Sequence, residues 1–267
     1  MVSPAGMIHD MNVVGMGMTM TILDVNADNV DDLGFFCYMS KRKSEGYQRK
    51  LEWLKDRFSE GLRIKMLELP DRGFIEYMPG EQAWRGVNAD GWMVIHCLWV
   101  VGKSKKQGYA KALLEACVDD ARKAGKHGVA VVTSEGNWLI SKKFFVKQGW
   151  ECVATAAPSF SLLVKRFDDA PDPSFVGGWT EKQAAQPDGL TVFRTDQCPY
   201  IVDAVQVSVD TAAKAGVACN VVELTSSEQV KVLSPSPFGV YGMTLNGCML
   251  SYHYQLEKDL LPQLTDR

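Results

Sequence analysis

The 267-residue chain lacks any apolar run that approaches the length of a membrane span. Its opening stretch, MVSPAGMIHDMNVVGMGM, lacks the basic residues that begin a secretory signal. No CxxC pair occurs among its seven cysteines (37, 97, 117, 152, 198, 219 and 248), and their number is odd. The pattern excludes a disulfide scaffold and a zinc site, so no metal is expected, and it points to a reducing cytoplasm. The three-glycine dinucleotide fingerprint is missing, and so is the Gly-Lys-Ser/Thr end of a P-loop. No basic stripe suits a nucleic acid, so neither nucleic acid nor membrane is an expected partner.

What is present divides unevenly. Residues 1–166 carry 23 Lys and Arg against 19 Asp and Glu, a balance of +4, whereas residues 167–267 carry 6 against 13, a balance of −7. The length is comfortable for two domains. Residues 1–17 read as a flexible extension, with the folded body beginning near Met18. Residues 168–188 hold three prolines, two glycines and five acids without periodicity, the composition of a linker. A second unit follows from 189 to 267.

The most informative stretch is Ile95–Leu114, IHCLWVVGKSKKQGYAKALL. It continues a β-branched and aromatic run from about Trp92, which the pattern makes a buried strand. It turns through Gly102–Ala110 and then places Ala110, Leu113, Leu114, Cys117, Val118 and Ala121 on one helical face. A strand, a basic glycine-containing loop and a helix make a phosphate-binding turn. The first helical turn offers unpaired N–H groups, Gly108 and Ala110 let an anion approach, and Lys103, Lys105 and Lys106 add charge.

This loop, Lys105-Lys106-Gln107-Gly108-Tyr109-Ala110, resembles the acyl-coenzyme A loop of the GNAT N-acetyltransferases, Arg/Gln-x-x-Gly-x-Gly/Ala, with Lys105 in place of the usual Arg or Gln. The order of elements over about Thr19 to Phe167 is similar to that family: two N-terminal helices, a run of strands, the loop with its helix, then strand, helix and closing strands. The later order, strand, Cys198, helix, strand, helix, Pro237, two strands and helix, resembles a thioredoxin-like domain, with Pro237 in the place of that fold's cis-proline. With the phrases GFIEYMPGEQAW and MVIHCLWVVGK, the pairing resembles the YoaP-type acetyltransferase family. The implied architecture is α/β (α+β): a GNAT fold with a mixed, splayed central sheet, then a smaller thioredoxin-like domain.

The resemblance implies acetyl-CoA as acyl donor. It gives the backbone around Leu98, Trp99 and Val100 to the pantetheine arm, the amides of the Lys105–Ala110 loop to the pyrophosphate, and an arm contact to Asn137. Acyl transfer to an amine also needs a base. Glu76, on the strand before the central one, ranks first, and His96 is the alternative. The family's tyrosine acid falls at Phe145, which has no proton to give, leaving Ser141, Tyr77, Cys97 or no acid at all. Glu81, Trp84 and Arg85 are candidates for an acceptor pocket, Arg85 suiting a carboxylate. Cys198, after a strand and at a helix start, is a candidate nucleophile whose thiolate the helix dipole favours.

The expected function is acetyl-CoA-dependent N-acetylation of a small-molecule amine. The acidic second unit would cover the acceptor site and attract a cationic amine. The alternative is an acyl-CoA-binding or thiol-sensing module without transfer. The resemblance allows a homodimer.

Overall fold

The computed structural model describes residues 20–136 and 139–265. The expectations for the N-terminal extension and for Asn137 lie outside these residues.

The first sheet takes the order β1 (Ile22–Val25), β2 (Arg63–Leu67), β3 (Gly73–Pro79), β5 (Met93–Val100), β6 (Gly128–Ser134), β8 (Phe160–Arg166) and β7 (Glu151–Ala156). β4 (Val87–Asn88) pairs instead with β9 (Ser174–Phe175), which lies in the segment expected as a linker. That segment also holds a helix, α5 (Trp179–Ala184).

Every residue of β6 is buried, the mark of a strand covered on both faces. Its alternating side chains divide the core. Val129 and Val131 face α3 (Tyr109–Lys123), with Leu113, Leu114 and Cys117, while Ala130 and Val132 pack toward the C-terminal unit. α2 (Glu45–Ser59) buries Tyr47, Leu51 and Leu54 against β2 and β3. Lys50 lies on the same buried side of α2.

Two strands part where the site forms. β5 runs parallel to β6 only from Met93 to Ile95, against Val129–Val131, and then the pair separates although both strands continue. Antiparallel β3 shifts register against β5 at the same level: Glu76 opposes Cys97, and Tyr77 opposes Ile95. His96 is therefore the extra residue of a β-bulge. The sheet is mixed and splayed, as a GNAT-like fold requires.

The C-terminal sheet has the order β11 (Cys219–Glu223), β10 (Leu190–Arg194), β12 (Tyr241–Leu245) and β13 (Cys248–Ser251). β10 is parallel to β11 and antiparallel to β12. The Asn246-Gly247 turn has positive φ at both residues, as a tight hairpin needs. α6 (Ile201–Ala215) follows β10, and α7 (Ser227–Leu233) and α8 (Glu257–Thr265) complete the unit. The Ser236–Pro237 bond is trans, so the cis-proline implied by the resemblance is not reproduced.

Some expected boundaries change. The first of the two expected N-terminal helices is only α1 (Val30–Leu33), because Phe35 and Phe36 leave it to enter the core. The helix expected between the last strands is short, α4 (Lys142–Val146), capped by Ser141. On α6 the buried positions are Ile201, Ala204, Ser208, Thr211 and Ala212, whereas Val205 and Val209 lie at its margin. Small residues there admit close packing, and the Ser208 hydroxyl is satisfied by the Ala204 carbonyl.

Candidate functional site

The Gly102–Gly108 loop joins β5 to α3. Gly108 caps α3 in the left-handed region (φ 86°), and a side chain there would meet nothing within 4 Å, so the helix N-terminus is open. Tyr109 and Ala110 stand in the first turn, where no intrahelical carbonyl reaches their N–H groups. Lys103, Lys105, Lys106 and Gln107 are exposed around this opening. Asp71 fixes the loop from below: it accepts from the Tyr109 hydroxyl at 2.7 Å and the Ser104 hydroxyl at 3.1 Å. The phenol of Tyr109 is thus structural, and only its backbone faces an anion. Leu98 is buried, Val100 is half-buried and Trp99 is exposed on the unpaired part of β5.

A cavity of about 90 Å³ opens where β5 and β6 part. That is several times the roughly 10–15 Å³ one water needs. Glu76, His96, Cys97 and Leu98 form one wall, and Phe145 with Val131 another. The C-terminal unit supplies Gln197, Cys198, Phe238, Val240, Tyr252 and Tyr254. α2 adds Lys50, and the loop before β4 adds Arg85.

Glu76 does not lie at a sheet edge. β3 is an interior strand, Glu76 is 2% exposed, and its Oε2 accepts from Lys50 Nζ at 2.5 Å. Its Oε1 lies 3.9 Å from His96 Nδ1. His96 accepts the Trp84 N–H at Nε2, 3.2 Å away. Burial, then the charges of Arg85 and Lys50, hold its imidazole well below the usual 6.5. The ring is therefore neutral with its proton on Nδ1, and it offers a donor rather than the expected base.

Arg85 is 2% exposed, yet all its hydrogen bonds go to neutral oxygens. Nη1 donates to Trp84 O at 2.7 Å and Gln197 Oε1 at 2.6 Å, and Nη2 to His96 O at 2.5 Å. Burial lowers its guanidinium to about 10, still charged near neutrality. Gln197 is oriented in turn by Thr195 and Gly239, so the C-terminal unit helps to fix Arg85.

The other pocket candidates separate from it. Glu81 holds Gly91 N–H at 2.8 Å and Lys126 on the protein surface. Trp84 is core, its ring edge-on to Trp53 with centroids 5.3 Å apart.

Burial raises both thiols named as candidates, Cys97 and Cys198. Burial, aided by the nearby Glu76 charge, pushes Cys97 up to about 12. Burial pushes Cys198 up to about 11, against a backbone hydrogen bond from Tyr200. Against the thiolate expected there, Cys198 precedes α6 by a turn and is half-buried, and desolvation outweighs the dipole. The substitutes for the missing tyrosine acid are also engaged: Tyr77 donates to Asp120 at 2.7 Å, and Ser141 caps α4.

Lys50 and Gln197 were not anticipated. Lys50 carries a readable signal, a cation at the i+3 position from Tyr47 and i−4 from Leu54, on the apolar face of its helix. Gln197 carries none.

Residues 27–150 match the model of the Acetyltransferase (GNAT) family. The chain is 30% identical over 236 residues to the uncharacterized N-acetyltransferase YoaP of Bacillus subtilis (strain 168), covering 87% of this chain and 94% of that relative. Among solved structures it is similar to NAA60 of Arabidopsis thaliana in complex with acetyl-CoA (TM-score 0.38, 16% identity, 56% of this chain and 99% of that one). The PaiA N-acetyltransferase of Thermoplasma acidophilum in complex with coenzyme A gives the same TM-score, 0.38, at 16% identity, over 56% of this chain and 100% of that one. Together with the splayed strands and the open helix terminus beside them, the match along nearly the whole relative identifies this chain as a member of the GNAT family of N-acetyltransferases.

Proposed function

We propose that the protein transfers an acetyl group from acetyl-CoA directly to the amine of a small molecule held in the cavity between β5 and β6. The observation that carries this is continuity: the anion-accepting terminus of α3 and the cavity lie at opposite ends of the unpaired part of β5. The loop amides and Lys103, Lys105 and Lys106 would take the pyrophosphate, and the free edge of Leu98–Val100 the pantetheine arm.

The reaction forms the N–C bond and breaks the C–S bond. An ammonium acceptor loses two protons over the cycle, one to the coenzyme A thiolate and one to solvent. Glu76 Oε1 is the carboxylate oxygen proposed to draw the first from the acceptor. Phe145 supplies none to the leaving group. A thiolate, whose parent thiol ionises near 8.5, leaves near neutrality without a dedicated acid.

The C-terminal unit is proposed to be a thioredoxin-like cover for the acceptor. Its sheet order, with one parallel and two antiparallel pairings, supports that assignment. Its seat against the Ala130 and Val132 face of β6 supports the covering role. The protonated thiols disfavour a thiol-sensing module. All seven cysteines are free, which supports a reducing compartment such as the cytoplasm. Among the described residues no helix is long and apolar enough to cross a membrane.

Amine-dependent release of coenzyme A thiol from acetyl-CoA tests the proposal. Binding of acetyl-CoA without release by any primary amine would contradict it.

A further inference from the structure

The cavity holds an electrostatic imbalance that the transfer step does not use. Lys50 and Glu76 form a close pair, both buried, and neutralise each other. Arg85 has no carboxylate within ion-pair distance among the described residues. It is a buried cation bonded only to carbonyl and amide oxygens, an arrangement that is costly unless an anion completes it. Beside it, His96 Nδ1 is buried without a hydrogen-bond partner, and the tautomer set by Trp84 makes it a donor. Two donor groups, one of them charged, thus line a pocket that also holds the Lys50–Glu76 pair and an apolar stretch of wall with Phe238, Val240, Leu139 and Ile140.

We infer that the acceptor is an amine that also carries a carboxylate, of the amino-acid class with an apolar side chain, its carboxylate taken by Arg85 and the Nδ1–H of His96. The inference rests on the acetyl transfer proposed above and names its substrate. Charge supports it further: the reactive form, a neutral amine with a carboxylate, bears −1, the complement of the unpaired guanidinium. The local balance at the cavity is therefore opposite to the acidic balance of the C-terminal sequence, whose carboxylates lie elsewhere. Asp196 and Glu223 pair with Arg49, and Asp203 accepts from the Tyr38 hydroxyl. Among the described residues a cationic amine finds only the Glu76 carboxylate here.

The test compares three-member series on the wild-type protein with acetyl-CoA: L-leucine, L-leucinamide and 3-methylbutylamine, and L-phenylalanine with its amide and phenethylamine. The amides carry the more easily deprotonated amine, so preference for the acids reports the carboxylate. The expected result is kcat/KM at least about a hundredfold higher for the acids, since a site built for a polar group rejects analogues that lack it. Arg85→Met should abolish the preference and Arg85→Lys should retain part of it; the wild-type series stands without either variant. Equal or better turnover of the amides or plain amines overturns the inference while leaving acetyl transfer intact. If no amine is acetylated, titration of N-acetyl-L-leucine and N-acetyl-L-leucinamide in the presence of coenzyme A decides. Selective binding of the acid upholds the anion site although transfer fails, and equal or absent binding overturns it.

Discussion

His96 turns its Nε2 to the backbone N–H of Trp84, 3.2 Å away, and so presents a protonated Nδ1 at 3.9 Å from Glu76 Oε1. The bulge that sets His96 between these groups also ends the pairing of β5 with β6. One irregularity therefore opens the cavity and places a donor in it.

A pH dependence follows. The unfolded chain takes up a proton on this histidine near 6.5, and the folded chain does not, because burial first and then the Arg85 and Lys50 charges oppose it. Stability contributed by neutral His96 is full above about 6.5 and falls as pH drops, by up to about 1.4 kcal/mol per unit. Urea unfolding between pH 5 and 7 should show a shallower slope for His96→Gln than for wild type. Identical slopes would contradict the buried neutral ring.

Lys50→Met should destabilise the fold by about 3–5 kcal/mol, because it leaves the Glu76 carboxylate buried without its partner. Adding Glu76→Leu should recover most of the stability while abolishing activity. Chemical denaturation of the two variants, with thiol-release assays of the double variant, checks both halves.

The exposed lysines of the loop should act on binding alone. Lys105→Glu with Lys106→Glu is expected to raise the Kd for acetyl-CoA about tenfold or more and leave kcat within about twofold. The penalty should shrink at high salt, where exposed charges are screened. Calorimetric titration at two ionic strengths measures it.

Cys198→Ser should retain acetyl transfer. With its thiol pushed up to about 11, Cys198 should also alkylate slowly at pH 8, while exposed Cys152 and Cys248 react first. Iodoacetamide labelling followed by peptide mass spectrometry reads the order. Rapid modification of Cys198 would return it to the list of nucleophiles.

Local pattern made the strand, loop and helix from Trp92 to Lys123 legible, since each element there is fixed by residues within a turn or two of itself. α2 was legible for the same reason. The first N-terminal helix and the helix after β6 are short, because the core packing of Phe35 and Phe36 ends the one and the Ser141 cap starts the other late. The cavity was least legible. It joins residues 37, 50, 76, 85, 96, 197 and 238, and no local periodicity links positions so far apart. Arg85 could be suspected from its chemistry, but its neighbour Trp84 could not be told from it without the fold.

The most direct measurement counts both products of the same reaction mixture: coenzyme A thiol released and N-acetylated amine formed, with acetyl-CoA and the leucine series as substrates. The account predicts equal amounts of the two, dependent on enzyme and amine, and largest with the carboxylate-bearing acceptor. Thiol release without N-acetylated product, or neither product from acetyl-CoA that is demonstrably bound, would contradict it.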